Sequence, residues 1–121
     1  MPENHFKRLW ALGYTRLCPI TPPKCPVSER SSFHKRLAAG DDARGKAPGV
    51  KWPDGNFSGF DFVAHESTEA DLDKWHAMGA GVGIKLGRGL ALIDADTKNK
   101  DLAKIIMETI ERVLGIIPPV R

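Results

Sequence analysis

Gly81-Val82-Gly83-Ile84-Lys85-Leu86-Gly87-Arg88-Gly89-Leu90-Ala91-Leu92-Ile93-Asp94-Ala95-Asp96 is the stretch whose reading decides the fold. Val82, Ile84 and Leu86 recur at every second position, which predicts a strand with those three on one face. Gly87-Arg88-Gly89 supplies a turn, and Leu90 to Asp96 returns as the apolar central strand of a hairpin. That second strand ends abruptly in two carboxylates. Asp94 and Asp96 point the same way, with Cα atoms roughly 7 Å apart. Like charges held so close at the end of an apolar strand repel each other and lose hydration. A divalent cation relieves both problems, and carboxylate oxygens suit Mg²⁺ or Mn²⁺. The expectation is a metal site for phosphate chemistry, with Asp94 and Asp96 as ligands. The competing role for the pair is to cap the next helix, where Thr97, Asn99 and Asp101 already offer capping side chains.

Working outward, residues 99–114 carry apolar side chains at 102, 105, 106, 110, 113 and 114, a wide helical stripe. Gly115 is a natural C-cap, and Pro118 and Pro119 block continuation. Upstream, Thr68 followed by Glu69, Asp71 and Asp73 marks a helix N-terminus. Leu72, Trp75, His76 and Gly79 share one face of that helix, which Gly79 and Gly81 close. Residues 3–12 predict a short helix through Phe6, Leu9 and Trp10, ended by Gly13. Residues 14–20 alternate as a strand, which Pro19, Pro22, Pro23 and Pro26 break. Between 21 and 61 the periodic pattern is poor. One short helix at Ser31–Ala39 is expected there, within an otherwise long loop. Helix, strand, loop, helix, hairpin, helix is an α+β order.

The 121 residues suit one small domain or a piece of a larger one. No apolar run approaches the 18 or so residues that span a bilayer, and Pro2-Glu3-Asn4-His5 lacks a secretory apolar core, so a cytoplasmic protein with no membrane partner is expected. Cys18 and Cys25 are the only cysteines and are expected to stay reduced; their spacing, with no second Cys or His pair, does not suit zinc. Net charge is +3, unevenly spread: residues 1–60 hold ten Lys or Arg against five Asp or Glu, and residues 61–121 hold eight against ten. A basic first half beside an acidic centre fits a surface that attracts polyanions next to a metal pocket, or else ordinary solvated charge.

Three landmarks together carry a family resemblance. Gly13-Tyr14 leads to Pro22-Pro23-Lys24 and then Lys46-Ala47-Pro48 with Trp52 nearby. Thr68 to Trp75 spells Thr-x-x-Asp-Leu-x-x-Trp. Gly81 to Asp96 runs Gly-hydrophobic-Gly-Ile, a Gly turn and hydrophobic-Asp-x-Asp. In this order they resemble the N-terminal part of bifunctional DNA primase–polymerase domains of the archaeo-eukaryotic primase superfamily, found in phage and plasmid replication proteins. Leu114-Gly115 and Pro118-Pro119-Val120-Arg121 are similar to the run that follows in phage members. The resemblance implies an α+β fold with an RRM-related, primase-like sheet and flanking helices. It implies that residues 1–121 form the N-terminal portion of the catalytic domain. A second motif bearing a His and a third acidic motif have no counterpart here, since His5, His34, His65 and His76 all precede Asp94. The chain alone is therefore expected to be inactive.

The implied activity is template-directed nucleotidyl transfer by a metal-dependent enzyme. The implied partners are a DNA template and primer, nucleoside or deoxynucleoside triphosphates, and a helicase domain or protein. Asp94 and Asp96 would be both catalytic and Mg²⁺- or Mn²⁺-binding residues, with Arg121 and Lys46 as nucleotide-binding residues. Lys46 otherwise reads as a loop lysine in water, Arg88 as solvent-facing and His76 as structural. Trp52 and Trp75 are candidates for stacking on bases, although Trp75 on an amphipathic helix reads first as core. Gly87-Arg88-Gly89 lacks the Lys-Ser/Thr ending of a phosphate loop. Two other classes compete. A haloacid-dehalogenase-type phosphatase also ends a strand in Asp-x-Asp, but Lys98 stands where that motif wants Thr or Val. The other is a non-catalytic nucleic-acid or nucleotide-binding module.

Overall fold

The computed structural model describes residues 2–92 and 96–116. Their elements, in order, are α1 (His5–Ala11), β1 (Leu17–Ile20), α2 (Ser32–Ala38), β2 (Gly49–Lys51), β3 (Phe57–Gly59), α3 (Glu69–Ala77), β4 (Gly81–Ile84) and α4 (Lys100–Leu114). The mixed α+β class expected from the sequence is present. The chain divides into two compact units, one ending at Lys85 and the other starting at Leu86.

The first unit is built around Phe6, Leu17, Leu72 and Trp75, with Leu9, Trp10, Phe60, Met78, Ala80 and Val82 packed against them. Helix α1 starts at Asn4, whose side chain accepts from Lys7 N at 3.2 Å. It lies on α3, with the Phe6 and Trp75 ring centroids 5.5 Å apart and Lys7 Nζ 2.9 Å from Asp73. Strand β1 pairs antiparallel with β4, from Leu17 opposite Ile84 to Ile20 opposite Gly81. The close fit of that pair depends on Gly83, where a Cβ would lie 2.9 Å from Ile20 Cδ1.

A second small sheet corrects the long loop expected between 21 and 61. Strands β2 and β3 pair antiparallel, with Val50 opposite Ser58. Their turn is Trp52-Pro53-Asp54-Gly55-Asn56, closed by Trp52 N to Asn56 O at 2.9 Å and Gly55 N to Trp52 O at 2.9 Å. Pro fixes one φ, Gly55 takes a φ of +89°, and Asp54 Oδ1 accepts from Asn56 N at 2.9 Å. Phe57 and Gly49 face inward toward Phe33 of α2. A Cβ on Gly49 would come within 3.3 Å of the Phe33 ring and 2.8 Å of Ser58 O. Helix α2 forms as expected, with Ser31 Oγ accepting from His34 N at 3.3 Å.

The expected hairpin after α3 is formed only at its tip. Arg88 and Gly89 both have positive φ (51° and 91°), the signature of a type I′ turn, and Gly87 and Leu90 bridge across it. Ala91, Leu92 and Asp96 have no strand structure, and residues 93–95 of the expected central strand lie outside the described residues. Strand β4 takes β1 as its partner instead. Val82, Ile84 and Leu86, expected to share one face, do not share one environment. Only Val82 packs on the core, whereas Ile84 and Leu86 are 37% and 51% exposed and Lys85 is buried.

In the second unit, α4 forms with the bounds its periodicity predicts. Asn99 Oδ1 accepts from Asp101 N at 3.0 Å and Leu102 N at 3.1 Å, and Gly115 ends the helix in the left-handed conformation at φ 72°.

Candidate functional site

Of the four site residues expected from the sequence, two are described. Asp94 and Arg121 lie outside the described residues, which leaves Asp96 in the second unit and Lys46 in the first. Asp96 is exposed in the segment leading to α4. The orphan amides of that helix go to Asn99, whose own N–H donates to Thr97 Oγ1 at 3.2 Å. Asp96 is therefore not the helix cap, the role that competed with metal ligation for this residue. Among the described residues no three His, Cys, Asp or Glu side chains are gathered in a metal-ligand cluster. Lys46 belongs to the first unit. It is exposed at the end of the 43–47 turn, where Ala47 O accepts from Thr21 N and from Thr21 Oγ1, both at 3.1 Å.

Around Lys46 the structure assembles a basic surface that periodicity could not reveal. Gly45 touches Pro23, since a Cβ there would lie 3.2 Å from Pro23 Cγ, so the turns bearing Lys24 and Lys46 are adjacent. Arg44 crosses between them, donating from Nη1 to Cys25 O at 3.1 Å and gripping Asp42 through Nε and Nη2 at 2.9 and 3.0 Å. Those hydrogen bonds hold the Asp42 carboxyl below its ordinary value. The same turns feed β2, at whose end Trp52 is 54% exposed. Its Nε1 donates to Ser58 Oγ across the hairpin. Trp75 is instead 3% exposed and belongs to the core.

Two further polar centres were not singled out in the sequence. Lys85, 8% exposed, donates from Nζ to Phe62 O at 2.8 Å and His65 O at 2.7 Å, with Glu66 Oε1 at 3.9 Å. A buried ammonium needs such acceptors. Its charge opposes, without overcoming, the burial that pushes the Cys18 thiol up. Both Cys18 and Cys25 are free and buried, as expected of reduced thiols. His65 continues the same loop and places Nε2 2.8 Å from Asp71 Oδ2. An ionised carboxylate only accepts, so this ring nitrogen carries the proton. Asp71 Oδ2 also accepts from Thr68 N at 2.9 Å and Thr68 Oγ1 at 3.2 Å. Burial pushes the Asp71 carboxyl up, but the bonds from His65 and Thr68 together outweigh it and hold the group low. His65 also stacks edge-on with Phe60 and Trp75, at centroid distances of 5.1 and 5.8 Å. These contacts seat the 60–66 loop against the core.

No protein-family model, curated protein or solved structure matches this chain. No helix among the described residues is long and apolar enough to cross a membrane.

Proposed function

We propose that the chain is the N-terminal portion of a primase–polymerase catalytic domain, contributing metal ligands and nucleic-acid contacts to template-directed nucleotidyl transfer. The observation that carries this reading is the capping of α4 by Asn99, which leaves Asp96 exposed and not needed as the helix cap. The ordered landmarks from Gly13 to Asp96 support it, as does the α+β class, with the primase-like sheet as part of the proposal. Asp94 and Asp96 fit a hard divalent cation by donor type and would hold Mg²⁺ or Mn²⁺. When bound, such ions activate a primer 3′-hydroxyl and stabilise charge on the departing pyrophosphate. Lys46 and Arg121 would meet the polyanionic substrates, Lys46 as a point charge and Arg121 through its planar fork.

Mn²⁺ titration followed by electron paramagnetic resonance tests the ligand assignment on this chain directly. The wild type should take up Mn²⁺ that Mg²⁺ competes away, and Asp94→Ala/Asp96→Ala should lose that uptake. Primer extension with Mn²⁺ and deoxynucleotides, on this chain joined to its downstream sequence, then tests the reaction. Extension that survives the double substitution would falsify the polymerase assignment.

A further inference from the structure

We infer that the outward face of the β2–β3 hairpin is a stacking platform for single-stranded nucleic acid, with Trp52 as the base contact and Lys24 and Lys46 as phosphate contacts. It rests on the reading above only in naming the bound strand as template; the binding itself stands on the hairpin.

The indole is held in place rather than left to rotate. In the hairpin register Ser58 opposes Val50 on the face away from Phe57, and Ser58 Oγ accepts the Trp52 Nε1 proton. This bond lays the ring across the outside of the two strands, with the side chain 54% exposed. A fixed, exposed aromatic surface on a sheet is the element that single-strand binders use to stack bases without reading sequence. Neither side of the hairpin core needs this tryptophan, because Phe57, Phe33 and Gly49 fill the inner face.

The charges around it suit a polyanion. The three acids between 41 and 54 are each engaged locally. Asp41 accepts from Arg36 Nε at 2.7 Å, Asp42 holds Arg44, and Asp54 Oδ1 accepts from Asn56 N at 2.9 Å. Lys24 and Lys46 stand on the adjoining turns that meet at Pro23 and Gly45, and both are exposed. Flexible ammonium groups beside a rigid ring match a single strand, whose phosphates alternate with bases free to stack. A protein partner or second copy would instead meet a surface rich in lysine, a residue depleted from protein interfaces.

Fluorescence anisotropy of a labelled thymidine 20-mer, measured in EDTA, tests this apart from any metal chemistry. The wild type should bind, and Trp52→Ala should weaken binding by roughly fivefold or more, as expected for the loss of one stacked base. Trp52→Phe should retain most of the affinity, and Ser58→Ala, which keeps the ring but frees it, should fall between. Lys24→Gln and Lys46→Gln should each lower the slope of log affinity against log salt by about 0.7. Circular dichroism of each variant establishes that it is folded. Equal binding by wild type and Trp52→Ala, or no binding by the wild type, overturns the platform. So does a dimer in sedimentation that Trp52→Ala dissociates, since the tryptophan would then be a contact between copies. Failure of Mn²⁺ uptake with oligonucleotide binding intact would defeat the polymerase reading and leave the platform standing.

Discussion

Gly49 illustrates how far a single side chain constrains this fold. Its backbone is not in the left-handed region, so space alone dictates glycine there. A methyl group would strike Thr21 Cγ2 and lie 2.8 Å from Ser58 O, a backbone atom of the paired strand that cannot rotate away. Gly49→Ala should cost about 1–3 kcal/mol, the range for overpacking, and urea denaturation would register it as a lower midpoint with unchanged slope. A midpoint within error of the wild type would mean that the hairpin relaxes freely. Lys85 makes the opposite point. Strand alternation set Ile84 and Leu86 on a face shared with Val82, yet it is the lysine between them that is buried, because the carbonyl oxygens of Phe62 and His65 converge on its ammonium. Those acceptors come from a loop about twenty residues away, and no local pattern encodes them.

At the scale of elements, helix ends were the most legible part of the chain. Asn4, Ser31, Thr68 and Asn99 stand where helices begin, because short polar side chains answer amides that the helix leaves unpaired. The α3 start also yields a pH dependence. The Asp71 carboxyl is held below its unfolded value, so its ionised form stabilises the fold above about pH 4, and this contribution is lost as pH falls through the depressed folded value. Asp71→Ala should therefore cost about 1 kcal/mol at pH 7 through loss of the cap, and more if the His65 bond adds to it. Chemical denaturation at pH 7 and pH 3 checks this, with the difference from wild type shrinking in acid. A difference that stays constant would show that Asp71 acts through packing alone. The β2–β3 hairpin was legible but unread. Pro53-Asp54-Gly55 is a turn signal with a mechanism, but strands of three residues are too short for alternation to register. The site followed the same divide: the Asp-x-Asp acids and Lys46 were visible as types in a pattern. The Trp52–Ser58 bond and the Pro23–Gly45 contact join residues whose pairing only the folded hairpin and turns create.

For the whole molecule, every member of the main core and every side chain packed on it lies, among the described residues, between Phe6 and Val82. The first unit thus holds its own apolar interior, its two sheets and the Lys85 anchor. A chain ending after Lys85 should fold alone, with a near-ultraviolet circular dichroism signal from Trp75 and a cooperative thermal transition. A broad transition without near-ultraviolet signal would show that the second unit is needed for the first to pack.

By itself the amino-acid order determined the α+β class and the four helices of the described residues, with the Thr68 and Asn99 starts and the Gly115 end, and it put forward the acidic pair as the place to look for chemistry. These are consequences of local sterics and of short-range hydrogen bonding, which a few neighbouring residues suffice to specify. Tertiary structure alone decided that β4 pairs with β1 across more than sixty residues, that Lys85 faces inward, and that Trp52 lies open on a hairpin while Trp75 is enclosed. Each of those outcomes depends on which distant surface arrives to bury an apolar group or satisfy a polar one, and such arrivals are set by the packing of the whole unit.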